Sequence, residues 1–307
     1  MQDKIYCMSK VKAWVSAARL RTLPLSVSGI ITGSAVAYSI GSFKLVIFLL
    51  AIATTLGFQI LSNFANDFGD GVKGTDNKDR VGPARALQSG RLKAKELKRG
   101  MFVTAAVTLL LASMLIFVSF GNDNFLLSFI FFNLGIAAII AAITYTVGKK
   151  AYGYRALGDL FVFIFFGIVG VMGCFFLYTQ NLGSYVILPA ITIGLLSAAV
   201  LNLNNMRDRI SDAKSGKNTL AVVLGPNSIK IYHAALILIA FVAAAGFIWL
   251  GLGGGLAFVA LIAFIPLFIN MLKVFRTADA TTLDPELKKV ALSTFLFALL
   301  LFASNFF

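Results

Sequence analysis

The chain has 307 residues, of which 59% are hydrophobic and only 13% charged. A soluble domain carries about 25% charged residues, so the composition excludes one and describes a membrane protein. With 27 Lys and Arg against 13 Asp and Glu the formal net charge is +14, which poses two partners for the basic surplus, nucleic acid or an anionic membrane face.

Apolar runs long enough to cross a bilayer, about 20 residues each, predict nine spans, at 22–40, 43–65, 100–120, 125–147, 158–178, 184–203, 229–250, 254–273 and 289–306. The first 20 residues hold charges and no apolar core followed by small residues, so no cleavable signal peptide is expected and the mature chain should begin near Met1. The links alternate in character. GSF, GNDN, TQNLGS and GLGGG are short and nearly uncharged, whereas the N-terminal segment and the other links hold every Lys and Arg except Lys44. Basic residues gather on the cytoplasmic side. The N-terminus is therefore expected in the cytoplasm and Phe307 across the membrane, and the lipid bilayer accounts for the charge without nucleic acid. The fold class that follows is all-α: a polytopic membrane protein of about nine transmembrane helices around a central cavity, one transmembrane unit over 1–307. Cys7 and Cys174 lie far apart, so no disulfide and no zinc site is expected. His233, the only histidine, reads as a surface or helix-end residue.

The acidic residues are where the sequence departs from a plain membrane pattern. Asp67, Asp70, Asp76 and Asp79 crowd into NFANDFGDGVKGTDNKD (63–79), directly after span two, and a second cluster, NLNNMRDRISDAKSGKNTL (202–220), leaves span six. Both fall on the basic side, which a bias for Lys and Arg alone does not require. They also resemble each other. Asn66-x-x-x-Asp70-x-x-x-Gly74 aligns with Asn204-x-x-x-Asp208-x-x-x-Asp212, and each set leads into a link with glycine and lysine. Residues four apart share a helix face, so each set would aim at one point, as the halves of a weak pseudo-repeat facing a shared cavity. A single Asp-rich stretch after a helix is most often a solvated loop. Two matched stretches on one face reverse that expectation.

Carboxylate and amide oxygens suit Mg²⁺, which keeps several waters and completes its shell with substrate phosphates. Lys73, Arg207, Lys214 and Lys217 could neutralise the remaining phosphate charge. Apolar helices around such a site suit a lipid tail, and a polyprenyl diphosphate has both the anionic head and the tail.

Asn-Asp-x-x-Asp (Asn66, Asp67, Asp70) and Asp-x-x-x-Asp-x-x-x-Gly-Lys (Asp208 to Lys217) on a nine-span frame resemble the intramembrane aromatic prenyltransferases. RLRTLPLSVSGI (19–30), LSNFANDFGDGVKGTD (61–76), RVGPARALQSG (80–90), GDLFVFIFFG (158–167) and NNMRDRISDAKSGKNTLAVVLG (204–225) are similar to its 1,4-dihydroxy-2-naphthoate polyprenyltransferase subfamily, which serves menaquinone biosynthesis. The resemblance runs from about residue 11 to the end. One departure stands out. The superfamily's first motif usually has a third aspartate four residues after the second; here that position is Gly74, and Asp76 is assigned the role instead.

The resemblance implies Mg²⁺ held by Asn66, Asp67, Asp70, Asp208, Asp212 and Asp76, with Asp70, Asp208 and Asp212 central to catalysis as the diphosphate leaves. Tyr145, before the basic pair Lys149/Lys150, would stabilise the allylic cation through its ring, although a tyrosine at a membrane interface needs no such role. The cation would be captured by 1,4-dihydroxy-2-naphthoate with loss of CO₂, giving a demethylmenaquinol. Lys73, Arg207, Lys214, Lys217 and Lys150 are the diphosphate-binding candidates. Asn63, Arg21 and Asp159 are the candidates for other substrate contacts, Asp159 being equally readable as a helix cap. A bacterial inner-membrane location, with the site open to the cytoplasm, is implied too. Another acceptor such as 4-hydroxybenzoate is the nearest alternative. A transporter is a more distant one, since transporter sites lie near mid-membrane and these clusters lie at one face.

Overall fold

In lipid every backbone N–H and C=O must find a partner within the protein, and an apolar run achieves this by itself only as a helix. The computed structural model describes residues 10–75, 81–252 and 255–306. Among them, nine helical segments are long and apolar enough to cross a membrane. The first is bent: α1 (Lys10–Ala18), a 3₁₀ turn (Leu20–Thr22) and α2 (Leu23–Ser39). Then come α3 (Leu45–Lys73), α4 (Ala94–Phe120) and α5 (Phe125–Thr144). α6 (Gly158–Val162), a π-helical stretch (Phe163–Gly173) and α7 (Cys174–Thr179) run on as one rod. α8 (Ile187–Lys214), α9 (Leu220–Trp249), α10 (Ile265–Arg276, entered by a 3₁₀ segment Ala257–Phe264) and α11 (Asp284–Ala303) complete the bundle. The only bridge of β type among the described residues is an isolated one between Arg155 and Asn218.

All nine expected spans are present, and the differences lie at their ends. α3 and α8 run well past the apolar runs and carry the acidic residues on regular helix. The bend between α1 and α2 sits at Arg19, whose φ of 51° is left-handed. Pro24 in the first turn of α2 suits a helix start, where its missing N–H is not needed. α9 is kinked at Gly225 (φ 75°), just before Pro226.

Lipid tails are as apolar as leucine, so helices in a membrane gain from close approach of small residues more than from hydrophobic exclusion. α2, the π-helical stretch and α8 meet in this way. A Cβ on Gly29 would lie 2.7 Å from the Phe166 carbonyl oxygen, on Gly33 2.5 Å from that of Val171, and on Gly167 2.5 Å from that of Ala190. Two buried clusters result. The larger is centred on α2, α8, α9 and α11 and includes Phe247, Phe264 and Phe297. The smaller joins α1, α3 and α4 through Ala17, Leu61, Phe64 and Leu97.

His233 is not at a surface or a helix end. It is fully buried on α9 (0% exposed), with Nε2 2.9 Å from Asn270 Oδ1 on α10. Asn270 Nδ2 donates to Glu286 Oε2 of α11 at 2.8 Å, and Lys273 and Lys289 close on Glu286 at 2.8 and 3.0 Å. Because Asn270 turns its amide N–H toward the carboxylate, its oxygen accepts and His233 Nε2 donates. The expectation failed because the partner of the buried imidazole, Asn270, comes from another helix, α10, and is itself held by Glu286 of α11.

Candidate active site

The site is built on the polar ends of α3 and α8. α3 continues through Asp70 to Lys73 and is ended by Gly74, whose φ of 71° is a left-handed conformation that glycine adopts without a Cβ penalty. α8 continues one turn further relative to the matched spacing. It carries Asp212 at the position paired with Gly74, and its left-handed glycine is Gly216 (φ 73°). Both ends turn the chain back in the same way: the Thr75 N–H donates to the Asp70 carbonyl at 3.0 Å, and the Lys217 N–H to the Asp212 carbonyl at 2.8 Å. The third carboxylate missing from the first motif is thus the place where α3 stops. Asp76, assigned to that role, lies outside the described residues.

Lys217 joins the two motifs. It is 9% exposed, and its Nζ lies 3.9 Å from Asp70 Oδ2 and 3.9 Å from Asp212 Oδ1. Asp70 Oδ1 accepts a hydrogen bond from the Tyr154 hydroxyl at 2.8 Å, and Lys73 Nζ sits 4.0 Å from the centre of the Tyr154 ring. Asn66 is bonded by Thr146, whose hydroxyl is 3.2 Å from Asn66 Oδ1. Thr146 reaches α3 because Gly69 has no side chain: a Cβ there would lie 2.6 Å from Thr146 Oγ1.

Other candidates are held by protein partners. Asp67 accepts the Ala86 N–H on Oδ2 (2.9 Å) and the Leu87 N–H on Oδ1 (3.1 Å), tying the link after α3 across the mouth. Arg207 has a fully buried side chain. It grips Asp208 with Nε and Nη2 at 2.9 and 2.7 Å, reaches Asn204 Oδ1 at 2.8 Å, and pairs with Asp284 at the start of α11. Arg21 is 3.8 Å from the same Asp284. Asn63 is buried and donates to the Ala18 carbonyl (2.8 Å) and the Thr22 hydroxyl (3.1 Å), so its amide fixes the α1–α2 bend onto α3. Lys150 and Lys214 are exposed, and neither lines the cavity described next. Asp159 is buried in the first turn of α6, past the capping position, with Tyr232 hydrogen-bonded to it.

Beyond the carboxylates opens a cavity of about 1280 Å³. Its polar end is lined by Arg19, Arg21, Asn66, Asp70, Arg85, Asn204 and Lys217, and its length by apolar residues of α2, α5, the π-helical stretch and α7. π-helical turns often occur at functional sites, and this one presents Phe165, Phe166 and Met172 to the cavity. Between the polar end and the apolar length stand Tyr145, Tyr152 and Phe161. The first two rings meet edge to face at 5.2 Å and the last two stack at 4.0 Å. Burial, together with the charge of Asp159, pushes the Tyr145 hydroxyl well above the ordinary tyrosine range; burial and Asp70 do the same for Tyr154. Both hydroxyls are neutral donors at physiological pH.

The sequence did not point to Tyr154, Thr75, Thr146, Tyr152 or Asp284. For Tyr152 and Tyr154 a signal existed: two tyrosines flank a glycine just before a basic residue in a basic link. A chamber with carboxylates and ammonium groups at one end, aromatic rings at its neck and an apolar length can hold an amphiphile by its anionic head and keep water from the carbon next to that head.

Two acidic helix ends at one end of a bundle of membrane-capable helices describe a polytopic membrane protein with a polar site, and the comparison with known proteins gives its class, a membrane transferase. Residues 26–304 match the UbiA prenyltransferase family, and the chain belongs to that family. It is 47% identical over 257 residues to the 1,4-dihydroxy-2-naphthoate octaprenyltransferase of Haemophilus influenzae, covering 81% of this chain and 83% of that one. It is 41% identical over 303 residues to the enzyme of the same name from Escherichia coli, covering 97% of each. Its fold matches that of a UbiA homologue of Archaeoglobus fulgidus solved with DMAPP and Mg²⁺, with a TM-score of 0.60 at 17% identity over 93% of this chain and 98% of that one.

Proposed function

We propose that this protein transfers a polyprenyl group from its diphosphate to 1,4-dihydroxy-2-naphthoate in a Mg²⁺-dependent reaction, releasing diphosphate and CO₂ and forming a demethylmenaquinol. The names of the two bacterial relatives support the acceptor. The observation that carries the chemistry is the position of Lys217, equidistant from Asp70 and Asp212 at the polar end of an apolar cavity.

The donor set fits Mg²⁺. Asn66, Asp70, Asp208 and Asp212 can all offer oxygen, and the Archaeoglobus neighbour, bound to DMAPP and Mg²⁺, supports the same pairing. Among the described residues no three carboxylate, histidine or cysteine side chains come together as a group that could by itself hold a metal ion. Mg²⁺ needs none, since it binds commonly through one or two carboxylates, waters and substrate phosphates. When bound, the ion would supply Lewis-acid stabilisation of the departing diphosphate.

The chain's own groups do the rest. Lys217, which lines the cavity, would take up the charge that grows on the leaving oxygen, which lowers the barrier only because that charge is larger in the transition state; Lys73 is exposed and outside the lining, and would act from the rim. Arg207 would hold Asp208 by both carboxylate oxygens and keep Asn204, which lines the cavity, in place. The rings of Tyr145, Tyr152 and Phe161 would face the allylic carbon, as cation–π partners that exclude water. The carbon bearing the acceptor's carboxylate forms the new C–C bond, the C–O bond to diphosphate breaks, and the electron pair of the C–CO₂⁻ bond restores the ring as CO₂ leaves. The whole chain acts as one unit of two related halves in a bacterial inner membrane, with the acidic mouth open to the cytoplasm.

The test is a reconstitution with Mg²⁺, a polyprenyl diphosphate and 1,4-dihydroxy-2-naphthoate. Prenylated naphthoquinol is expected from the wild type, and none with EDTA or from Asp70→Ala and Asp208→Ala. Activity that survives chelation or either substitution would remove the metal–diphosphate mechanism.

A further inference from the structure

The Asp70 carboxylate is shared. Oδ2 faces Lys217, while Oδ1 is taken by Tyr154, a residue 84 positions away in the link between α5 and α6. The direction of the hydrogen bonds around Tyr154 is fixed by chemistry. An ionised carboxylate only accepts, so the single tyrosine O–H must point at Asp70. Thr75 Oγ1, 2.6 Å from the Tyr154 oxygen, is then the donor to it. Thr75 is in place because Gly74 turns the chain at the end of α3, bringing the Thr75 N–H back onto the Asp70 carbonyl and its side chain into a buried position (5% exposed). Two ammonium groups approach the same ring, Lys73 Nζ at 4.0 Å from its centre and Lys217 Nζ at 5.5 Å. Both lie within the distance, about 6 Å, at which a ring face attracts a cation.

We propose that Tyr154 is a positioning residue of this site: its hydroxyl fixes the Asp70 carboxylate and its ring draws in the Lys73 and Lys217 ammonium groups, so that the other oxygen of Asp70 and Lys217 are held in place for a metal-bound diphosphate, with Lys73 at the rim. The inference rests on the diphosphate site proposed above. It also accounts for Gly74. Where α8 presents Asp212, α3 stops, and the Thr75–Tyr154 pair orients Asp70 without adding a third negative charge.

The link that carries Tyr154 is anchored on both sides, as a positioning group requires. The Tyr152 hydroxyl donates to the Ala141 carbonyl of α5 at 2.9 Å, the Gly153 N–H to the Tyr145 carbonyl at 3.0 Å, and the Ala156 N–H to the Asn218 carbonyl at 2.7 Å. Asn218 directly follows Lys217, so the same short link touches both acidic motifs.

Two substitutions separate the roles of hydroxyl and ring. Tyr154→Phe keeps the ring and releases Asp70; Tyr154→Leu removes both. Full-length protein in lipid nanodiscs is titrated with Mn²⁺, followed by its electron paramagnetic resonance, with and without inorganic diphosphate. Tyr154→Phe is expected to weaken Mn²⁺ binding about tenfold, the scale of one charge-assisted hydrogen bond. Its KM should rise for the prenyl diphosphate and stay unchanged for the naphthoate. Tyr154→Leu should in addition weaken inorganic diphosphate binding, and Thr75→Val should shift Mn²⁺ binding in the same direction as Tyr154→Phe but less. If Tyr154→Phe does not fold, Thr75→Val decides. Variants that bind Mn²⁺ and diphosphate as the wild type does, or a change confined to the naphthoate KM, would overturn the inference and leave the metal site standing. A wild type that takes up no Mn²⁺ with diphosphate would overturn the metal site and this inference with it.

Discussion

Lys217 is the residue on which the electrostatics of the mouth depend. Asp70 and Asp212 face one ammonium group from opposite helices, each 3.9 Å away, so removing it leaves two buried carboxylates opposed and the leaving group without its nearest cation. Lys217→Met is expected to lower kcat/KM for the prenyl diphosphate by about 10²-fold, the scale seen when one preorganised charge partner is lost; Lys217→Arg should restore part of it. A steady-state assay at saturating naphthoate checks this. The tyrosines give a second outcome at this scale. Burial raises the hydroxyls of Tyr145, Tyr152 and Tyr154 above their ordinary value, so the folded state holds these protons more tightly than the unfolded chain. Their contribution to stability is complete below the unfolded tyrosine value, about pH 10, and is lost as pH rises beyond it toward the raised folded values. Ultraviolet titration should find these three hydroxyls still protonated at about pH 10, with their contribution to thermal stability lost as pH rises above it. Asp70, Asp212 and Lys217 were legible in the sequence because helical spacing and a glycine–lysine exit sit inside single segments. Tyr154 and Thr75 were not, because the bond that gives Tyr154 its role joins residues 84 apart.

At the scale of elements, length and apolar character revealed every span, since a bilayer leaves an apolar run little choice of structure. What they hid was where the helices stop. The apolar run ends at 65, while the four-residue spacing of Asn66 and Asp70 sets them on a helix face; NFANDFGDGVK completes α3, and Asn66, Asp67 and Asp70 each find a partner in another segment: Thr146, the Ala86 and Leu87 N–H groups, and Tyr154. The buried link from His233 through Asn270 to Glu286 was invisible because it too joins separate segments. The packing of α8 on the π-helical stretch depends on Gly167, where a Cβ would lie 2.5 Å from the Ala190 carbonyl oxygen and 2.8 Å from Gly194 Cα. Both obstacles are backbone and cannot swing aside. Gly167→Ala should therefore destabilise the protein by about 1–3 kcal/mol, the usual scale of overpacking, and lower its melting temperature in detergent. An unchanged Tm would mean that the two segments are free to separate.

The whole molecule joins a charged mouth to an apolar chamber. In the proposed function the mouth would take a diphosphate and the chamber a hydrocarbon tail, with the rings of Tyr145, Tyr152 and Phe161 beside the reacting carbon. That proposal starts from the placement of Asp, Lys and Arg in the links on one side of the spans, whereas the acceptor came from resemblance alone and receives its support from the relatives. The most direct test supplies the reconstituted protein with Mg²⁺, a polyprenyl diphosphate and 1,4-dihydroxy-2-naphthoate labelled in its carboxyl group, together with 4-hydroxybenzoate as competitor. The expected result is prenylated naphthoquinol and labelled CO₂ in equal amounts, with 4-hydroxybenzoate left unprenylated. Prenylated 4-hydroxybenzoate without release of label would contradict the assigned acceptor and the decarboxylating substitution together.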